Sequence, residues 1–209
     1  MTSSILTKVI LPDVSRETLE RLEHFERLFR KWNTTFNLVA PSTLADLWSR
    51  HILDSAQLAR IRPLTGTWVD LGSGGGFPGI VLAILMREGG DGAIHLIESI
   101  GKKGVFLKMA LAETGGAGQV HIIRIEDAPR LVSPANVITA RALAPLTDLL
   151  ALAFPWMSSG AIGLFHKGRE FRKEIELARD QWAFNLVEHQ SKVDVQSVIL
   201  EISNVSQRL

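Results

Sequence analysis

A glycine-rich segment between an apolar run and a helical pattern restricts the fold of this chain more than any other feature. The segment Thr67–Val81 reads TWVDLGSGGGFPGIV, and the apolar residues on either side of its glycines are typical of a buried strand followed by a helix. Glycine reaches backbone angles that other residues avoid, and its missing Cβ lets a ligand touch the main chain. The helix that follows offers free N–H groups in its first turn. The segment therefore predicts the opening unit of an open α/β sheet, with a ligand at the turn.

Two nucleotide-derived cofactors compete for this turn. The stretch Gly74–Gly79 matches the G-x-G-x-x-G fingerprint of dinucleotide sites, which alone is a weak signal. The stretch Asp70–Gly74 matches the D-x-G-x-G pattern that S-adenosylmethionine sites favour. A carboxylate at the end of the strand suits the ammonium group of that cofactor and would repel a diphosphate. We therefore favour S-adenosylmethionine, held by Asp70, Gly72 and Gly74, and keep a nicotinamide-dependent oxidoreductase as the alternative.

Size and composition fit one large domain or a domain with an extension. The chain has 209 residues, of which 46% are apolar and 22% charged, as in an ordinary globular protein. It has no cysteine, which excludes disulfides and thiolate metal sites, and we expect no metal. No secretory signal and no apolar stretch of membrane length is visible, so we expect a cytoplasmic protein without a membrane partner. Because the net charge is only +1, any nucleic-acid surface must be a local patch.

Two helical patterns precede the glycine-rich segment. The first begins at Ser15, a plausible N-cap, and its apolar residues recur at helical spacing. The second begins near Ser42 and carries His51 on its packing face. In this second helix Arg50 and Asp54 stand four residues apart, which predicts an ion pair on the surface. The residues alone favour structural roles for this pair and for the histidine, and they leave a role in a site open.

Strand patterns follow the glycine-rich segment and alternate with helical patterns until the last two. After the strand that leads into the glycines, the predicted strands are 93–98, 120–125, 136–140, 161–165, 182–187 and 195–202. The alternation predicts a Rossmann-like, seven-stranded, mostly parallel α/β sheet, and the closing pair predicts an antiparallel C-terminal hairpin. Class I methyltransferases carry such a hairpin, whereas six-stranded dinucleotide folds do not. We expect an N-terminal helical extension over residues 1–65 and a methyltransferase domain over residues 66–209.

Polar side chains stand where the predicted strands end, at the edge where open α/β sheets bind their ligands. Glu98 ends the second strand and is placed to hydrogen-bond ribose hydroxyls with either cofactor. Ile125 ends the third strand and Glu126 follows it, and the two could cover the face and the edge of an adenine or simply mark the end of the strand. Arg141 follows the fourth strand, so topology predicts that it lies beside the cofactor.

Several stretches of the chain together resemble one family, the bacterial small-subunit ribosomal RNA guanine-N7 methyltransferases of the glucose-inhibited division protein B group. They stand in the same order as in that family and are Trp32-Asn33 with Asn37-Leu38, Arg50–Ser55, Asp70–Gly79 and Arg141-Ala142. The departures from the family pattern are small. Gly75 stands where proline is common, and Glu98 is one methylene longer than the aspartate that often ends the second strand.

The resemblance implies S-adenosylmethionine as the cofactor and a role for individual residues around it. The implied contacts are Gly72 and Phe77 in the turn, Glu98 and Ser99 at the ribose, Ile125 and Glu126 at the adenine, and Arg141 as the last contact on the cofactor side. The resemblance also implies a set of residues that face the RNA. In that set Asn37, Arg50 and His51 border the pocket for the base, and Lys167 and Arg141 help to hold phosphates or the base edge.

The implied reaction is methyl transfer from S-adenosylmethionine to N7 of a guanine in small-subunit ribosomal RNA, free or in the assembling subunit, by a monomeric enzyme. Guanine N7 has a free lone pair, so no proton must leave before the attack and no general base is needed. Catalysis is then expected from positioning, by His51 and Arg141, and from electrostatics. An RNA-binding factor that senses S-adenosylmethionine without catalysis is the alternative from another class.

Overall fold

The computed structural model describes residues 3–36, 38, 44–89 and 91–208. Its α-helices are α1 Ser3–Ile10, α2 Arg16–Phe36, α3 Asp54–Ala56, α4 Gly79–Gly89, α5 Gly101–Thr114, α6 Leu146–Met157 and α7 Phe171–Gln181. A π-helical turn, Trp48–Leu53, precedes α3, and 3-10 turns occupy Gln57–Arg60 and Ile125–Arg130. The strands are β1 Gly66–Leu71, β2 Gly92–Ile97, β3 Gly118–His121, β4 Val137–Arg141, β5 Ile162–Lys167, β6 Trp182–Gln190 and β7 Val198–Gln207. None of the helices in these ranges combines the length and apolar character that crossing a membrane requires.

The strands form a seven-stranded sheet in the order β3-β2-β1-β4-β5-β7-β6. Strands β1 to β5 run parallel, and β7 runs antiparallel to both β5 and β6. This confirms the predicted mostly parallel sheet with an antiparallel C-terminal hairpin. From β1 the chain proceeds outward to β3 and then returns to place β4 on the other side of β1. The carboxyl ends of β1 and β4 therefore flank the crevice in which open α/β sheets bind ligands.

Apolar side chains cover both faces of the sheet, which explains why the central strands read as continuous apolar runs. On one face Trp68 of β1 shares a core with α4, in which residues 80–86 are all buried. On the other face Val69 shares a core with Leu149 and Leu150 of α6. The alternation along β1 thus sends successive side chains into two separate cores.

The N-terminal helices join the sheet through an aromatic cluster. Ser15 caps α2 as predicted, since its Oγ accepts the N–H of Thr18 at 3.2 Å. Further along α2, the rings of Phe25 and Phe29 lie 5.4 and 5.1 Å from the ring of Phe77 in the glycine-rich turn. The helical extension therefore packs directly against the predicted ligand site.

The segment before β1 differs from the regular helix that the spacing predicts. Ser42 lies outside the described residues, and residues 48–60 form a π-helical turn, a short α-helical turn and a 3-10 turn. A π-helical turn is wider than an α-helical one, so side chains four residues apart no longer share a face. The predicted pairing of Arg50 with Asp54 is therefore wrong. Arg50 is exposed, whereas Asp54 is buried and lies 3.5 Å from the guanidinium of Arg141.

Several strand boundaries also differ from those predicted: β3 covers 118–121 and not 120–125, β6 extends to residue 190, and β7 covers 198–207 and not 195–202. Strand β3 ends at His121, since Ile122 packs closely over Gly104 of α5 and the chain then enters the 3-10 turn that begins at Ile125. Strand β7 begins at Val198, because the Asp194 side chain holds the preceding residues in a turn. The first shift matters for the site, since it moves residues 125 and 126 from a strand end into a turn.

Candidate functional site

Backbone geometry shapes the glycine-rich turn between β1 and α4. Gly72 and Gly74 have φ values of 65° and 53°, in the left-handed region that L side chains rarely adopt. Ser73 anchors the turn, because its N–H donates to the Ile97 carbonyl and its Oγ donates to the Asp70 carbonyl, each at 3.0 Å. The turn therefore presents main-chain atoms at the carboxyl ends of β1 and β2.

Two adjoining cavities lie over this turn. The first cavity, of about 390 Å³, is lined by a group of the predicted cofactor residues, namely Gly72, Gly74, Glu98, Ser99, Ile125 and Glu126. The second cavity, of about 240 Å³, is lined by Phe77, His51 and Arg141. Both cavities also contain Gly72, Gly74, Lys103 and Ala142. They therefore form one elongated site that suits a nucleoside at one end and an amino-acid group at the other.

Glu98 links the end of β2 to the glycine-rich turn. Its side chain is buried, and its Oε2 accepts the N–H of Gly74 at 2.8 Å while its Oε1 accepts the N–H of Ile100 at 2.7 Å. Each carboxylate oxygen has a second lone pair. Glu98 can therefore accept ribose hydroxyls in the first cavity while it holds the turn in place, which fits a nucleoside cofactor.

Asp70 lies beneath the turn and lines neither cavity. Side chains alternate along a strand, so Asp70 points to the same face as Trp68, the face that α4 covers. Its Oδ1 accepts a hydrogen bond from the Thr139 hydroxyl at 2.9 Å, and a Cβ on Gly79 would stand 2.6 Å from its Oδ2. Burial raises the pKa of Asp70 to about 7, although hydrogen-bond donors around the carboxyl oppose the rise. Contrary to the prediction, the structure does not bring this carboxyl to the cavity surface.

His51 and Arg141 form one unit in the wall of the second cavity. The Nη1 of Arg141 donates to Nδ1 of His51 at 3.1 Å, and its Nη2 donates to the Arg50 carbonyl at 2.7 Å. Because a guanidinium only donates, Nδ1 accepts and the neutral imidazole carries its proton on Nε2. Burial, and then the charges of Arg141 and Arg50, lower the pKa of His51 to about 3. Its Nε2 has no partner among the described residues and remains a buried N–H donor.

Asp54 connects this unit to two other parts of the chain. Its Oδ2 lies 3.5 Å from Nη2 of Arg141, and its Oδ1 accepts from Nε2 of Gln57 at 2.7 Å and from Oγ of Ser191 at 3.3 Å. Burial lowers the pKa of Arg141, and the Asp54 carboxylate opposes that effect. The guanidinium is therefore held in one orientation from several sides.

Lys167 is buried at the end of β5, and its ammonium group is already engaged. Its Nζ donates to the Ala144 carbonyl and to Oε2 of Glu174, both at 2.7 Å. Two of its three N–H groups are thus engaged, and the Glu174 carboxylate beside the ammonium would repel a phosphate, so the geometry disfavours the predicted contact with RNA phosphates. Arg50 is exposed at the rim of the site, and Asn37 lies outside the described residues.

Two features of the site carry little signal in the sequence. Lys103 lines both cavities, although its setting in a lysine cluster is equally typical of a solvated side chain. A third cavity, of about 690 Å³, lies beyond the ends of β4 and β5 and shares Arg141 and Ala142 with the second. Ala142 has a φ of 51°, an uncommon value for alanine, and such backbone outliers cluster at functional sites.

Solved structures with very different sequences share this fold. The crystal structure of M. jannaschii TYW2 in complex with AdoMet matches with a TM-score of 0.52 at 12% identity, over 76% of each chain. A chain of the fibrillarin/Nop5p complex matches with a TM-score of 0.52 at 14% identity, over 66% of this chain and 71% of that one. These matches show the Rossmann-like fold of the class I methyltransferases.

Sequence similarity narrows this class to one family. The family model described as rRNA small subunit methyltransferase G matches residues 18–202, and the chain belongs to this family. A relative named Ribosomal RNA small subunit methyltransferase G from Sinorhizobium fredii is 54% identical over 198 residues, which are 93% of this chain and 92% of the relative. One of the same name from Rhizobium etli is 56% identical over 194 residues, 92% of this chain and 95% of the relative. The predicted family is confirmed, and the nicotinamide enzyme and the non-catalytic factor are set aside.

Proposed function

We propose that the protein transfers the methyl group of S-adenosylmethionine to N7 of a guanine in small-subunit ribosomal RNA. The observation that carries the proposal is the His51–Arg141 unit in the wall of the second cavity, whose Arg141 also lines the third. At neutral pH both side chains are hydrogen-bond donors there, and neither has a free lone pair with which to remove a proton. This combination suits a nucleophile that needs positioning and no deprotonation.

The nucleophile that fits best is N7 of guanine. When bound, S-adenosylmethionine supplies an electrophilic methyl group, and N7 attacks through a lone pair that is already free. His51 stays neutral because its pKa is about 3, so it serves as an N–H donor rather than as an acid or base. A hydroxyl or an exocyclic amine would have to lose a proton, and neither His51 nor Arg141 could accept it. The rate then depends on holding two reactants in line.

The residues of the first cavity support the cofactor part of the proposal. Glu98 would accept the ribose hydroxyls, and the main chain at Gly72 and Gly74 lets the cofactor approach closely. Ile125 would cover one face of the adenine, and Glu126 would face its edge. The nucleoside would thus be held from the ends of β1 and β2 and from the turn after β3.

The proposed partner is the RNA of the small subunit, free or within the assembling particle. The net charge of +1 requires a local basic surface, and Lys103, Arg124 and Lys173 supply it around the three cavities. We further propose that the enzyme acts as a monomer in the cytoplasm, where small subunits assemble.

Nucleoside mass spectrometry tests the proposal directly. Small-subunit ribosomal RNA from cells with and without the gene should differ by one 7-methylguanosine, and purified protein with S-adenosylmethionine should restore it on RNA or subunits from the deletion strain. Comparing free RNA with whole subunits also identifies the substrate form. Unchanged 7-methylguanosine in the deletion strain, or a different methylated nucleoside after the purified reaction, would refute the proposal.

A further inference from the structure

The third cavity adjoins the His51–Arg141 unit but takes no part in the cofactor site. Its volume is about 690 Å³, and Arg141 and Ala142 stand between it and the second cavity. Its other walls come from the ends of β4 and β5 and from the first turn of α7. A base bound there would lie beside the unit that the proposed reaction uses.

Glu174 is a carboxylate held in this wall with one oxygen unused. Its Oε2 accepts two hydrogen bonds, from the N–H of Leu146 at 2.8 Å and from Nζ of Lys167 at 2.7 Å. Its Oε1 has no hydrogen-bond partner among the described residues, and the side chain is 25% exposed. Because Lys167 and the first turn of α6 fix one oxygen, the other is a positioned acceptor that faces the cavity.

His166 also lines this cavity, but the ring nitrogen that is unpaired within the described ranges is buried. Its Nε2 lies 2.9 Å from the Asp54 carbonyl, which can only accept, so Nε2 carries the proton. Burial lowers the pKa of His166, which leaves the ring neutral and its Nδ1 an acceptor. That Nδ1 is buried and has no partner in the described part of the chain. Among the described residues, Glu174 Oε1 is therefore the unpaired acceptor that a ligand in the cavity can reach, which suits a ligand that brings an N–H donor.

We propose that Glu174 recognises the target guanine, with its Oε1 accepting a hydrogen bond from the 2-amino group. This inference rests on the proposed function and names the residue that selects the base. The 2-amino group lies across the purine from N7, so a guanine held by this edge points N7 away from Glu174, as attack on the cofactor side requires. Adenine has no 2-amino group and offers an acceptor at N1, which the carboxylate would repel. Lys167 is a positioning residue for Glu174.

The charge of Glu174 also suits the reaction itself. Methyl transfer carries the positive charge of the sulfonium onto the purine, and a fixed carboxylate near that purine stabilises the charge as it develops. An interaction that strengthens in the transition state raises kcat and does more than lower KM. Loss of Glu174 should therefore appear in kcat as well as in RNA affinity.

Methyl transfer to two RNA fragments tests the assignment. Both carry the target position, located beforehand by mass spectrometry of nuclease fragments of the ribosomal RNA, with guanosine in one and inosine in the other. Inosine lacks only the 2-amino group and keeps N7. The wild type should lose about 10- to 100-fold in kcat/KM on the inosine RNA, the range for a hydrogen bond to a charged acceptor.

The variant Glu174→Gln should remove this discrimination. The donors of Leu146 and Lys167 hold the amide oxygen at the Oε2 position, which turns the amide NH₂ towards the 2-amino group. On guanosine RNA we expect kcat/KM of Glu174→Gln to lie about 10- to 100-fold below the wild-type value. On inosine RNA its kcat/KM should be no more than about twofold lower still. Glu176→Gln, an exposed change on the same helix, should match the wild type on both RNAs. Calorimetry with S-adenosylmethionine reports whether Glu174→Gln folds. If Glu174→Gln does not fold, Glu174→Asp takes its place, because it withdraws the acceptor but keeps the charge.

The outcomes separate the two proposals. Equal wild-type rates on guanosine and inosine RNA, or equal fold losses for Glu174→Gln on both, would overturn the role of Glu174 and leave the proposed function intact. A wild-type enzyme that forms no 7-methylguanosine on any RNA would refute the proposed function instead.

Discussion

At the residue scale, burial decides what each polar side chain of the site can do. Glu98 stays at the cavity surface because main-chain N–H groups hold it there. Asp70 was predicted to share that surface, but strand alternation turns it under the glycine-rich turn, where it is 1% exposed. His51 loses its basicity through burial beside two arginines. Residue type alone therefore does not reveal which of these groups meets a ligand.

The variant Asp70→Asn should reveal the cost of burying this carboxyl. Unfolded Asp70 ionises near its ordinary pKa of 3.8, whereas its pKa in the fold is about 7. Between these values the folded state binds more protons than the unfolded state, so stability falls as pH rises from about 4 to 7 and then levels off. Relative to the variant, the wild type should lose about 2–3 kcal/mol of unfolding free energy between pH 5 and 8.

Urea unfolding at a series of pH values measures this difference. The exposed change Asp127→Asn serves as the control, and its unfolding free energy should change with pH in parallel with that of the wild type. If the unfolding free energy of Asp70→Asn also changes with pH in parallel with that of the wild type, the carboxyl titrates normally in the fold and its position beneath the turn is misassigned.

At the element scale, the fit between α2 and the glycine-rich turn couples the extension to the cofactor site. The rings of Phe25 and Phe29 pack against Phe77, which lines the second cavity. Gly75 of the turn has no side chain, and Phe29 of α2 fills the space beside it. A larger residue at position 75 of the turn therefore requires a change in the packing of α2 as well.

The variant Gly75→Ala tests this coupling. A Cβ on Gly75 would stand 2.8 Å from Cε2 of Phe29, so we expect overpacking that lowers the unfolding free energy by about 1–3 kcal/mol. Phe29→Leu withdraws the ring edge, and the double variant should cost less than the sum of the two single variants. Chemical denaturation measures all three. Gly89→Ala should be neutral, because among the described residues no atom beyond its own helix backbone and chain neighbours lies within 4 Å of the new Cβ. Additive losses in the cycle would rule out the contact between Gly75 and Phe29.

At the scale of the whole molecule, one buried carboxylate joins three regions that are far apart in sequence. Asp54 belongs to the segment before β1 and contacts Arg141 at the end of β4 and Ser191 in the loop of the C-terminal hairpin. The helical extension, the parallel sheet and the hairpin therefore meet at the wall of the proposed active site.

Asp54→Asn should weaken this junction. Removing one partner of a buried ion pair leaves Arg141 uncompensated, and we expect unfolding free energy to fall by about 2–4 kcal/mol. Hydrogen exchange should accelerate in residues 191–197, and methyl transfer should fall because Arg141 and His51 lose their fixed orientation. The exposed Asp46→Asn is the matched control, and unchanged exchange in the hairpin loop would show that Asp54 does not hold it.

Much of the fold was predictable because its signals are local. Strand and helix patterns alternate along the chain, and parallel strands bring their carboxyl ends to one edge, so the places of Glu98 and Arg141 followed from order alone. The irregular segment 48–60 was not predictable, because its apolar spacing suits an α-helix and only tertiary contacts select the π-helical turn. The Arg50–Asp54 pairing failed for that reason.

The sequence by itself therefore determined the class of fold, the glycine-rich turn and the family, since each depends on periodicity, glycine positions or order along the chain. Only the tertiary structure decided which charged groups face the cavities. Asp70 is withdrawn beneath the glycine-rich turn, whereas Lys167 and Glu174 meet as an ion pair in the lining of the third cavity. The physical reason is that burial and ion pairing join residues from separate elements, and no spacing within one element records those contacts.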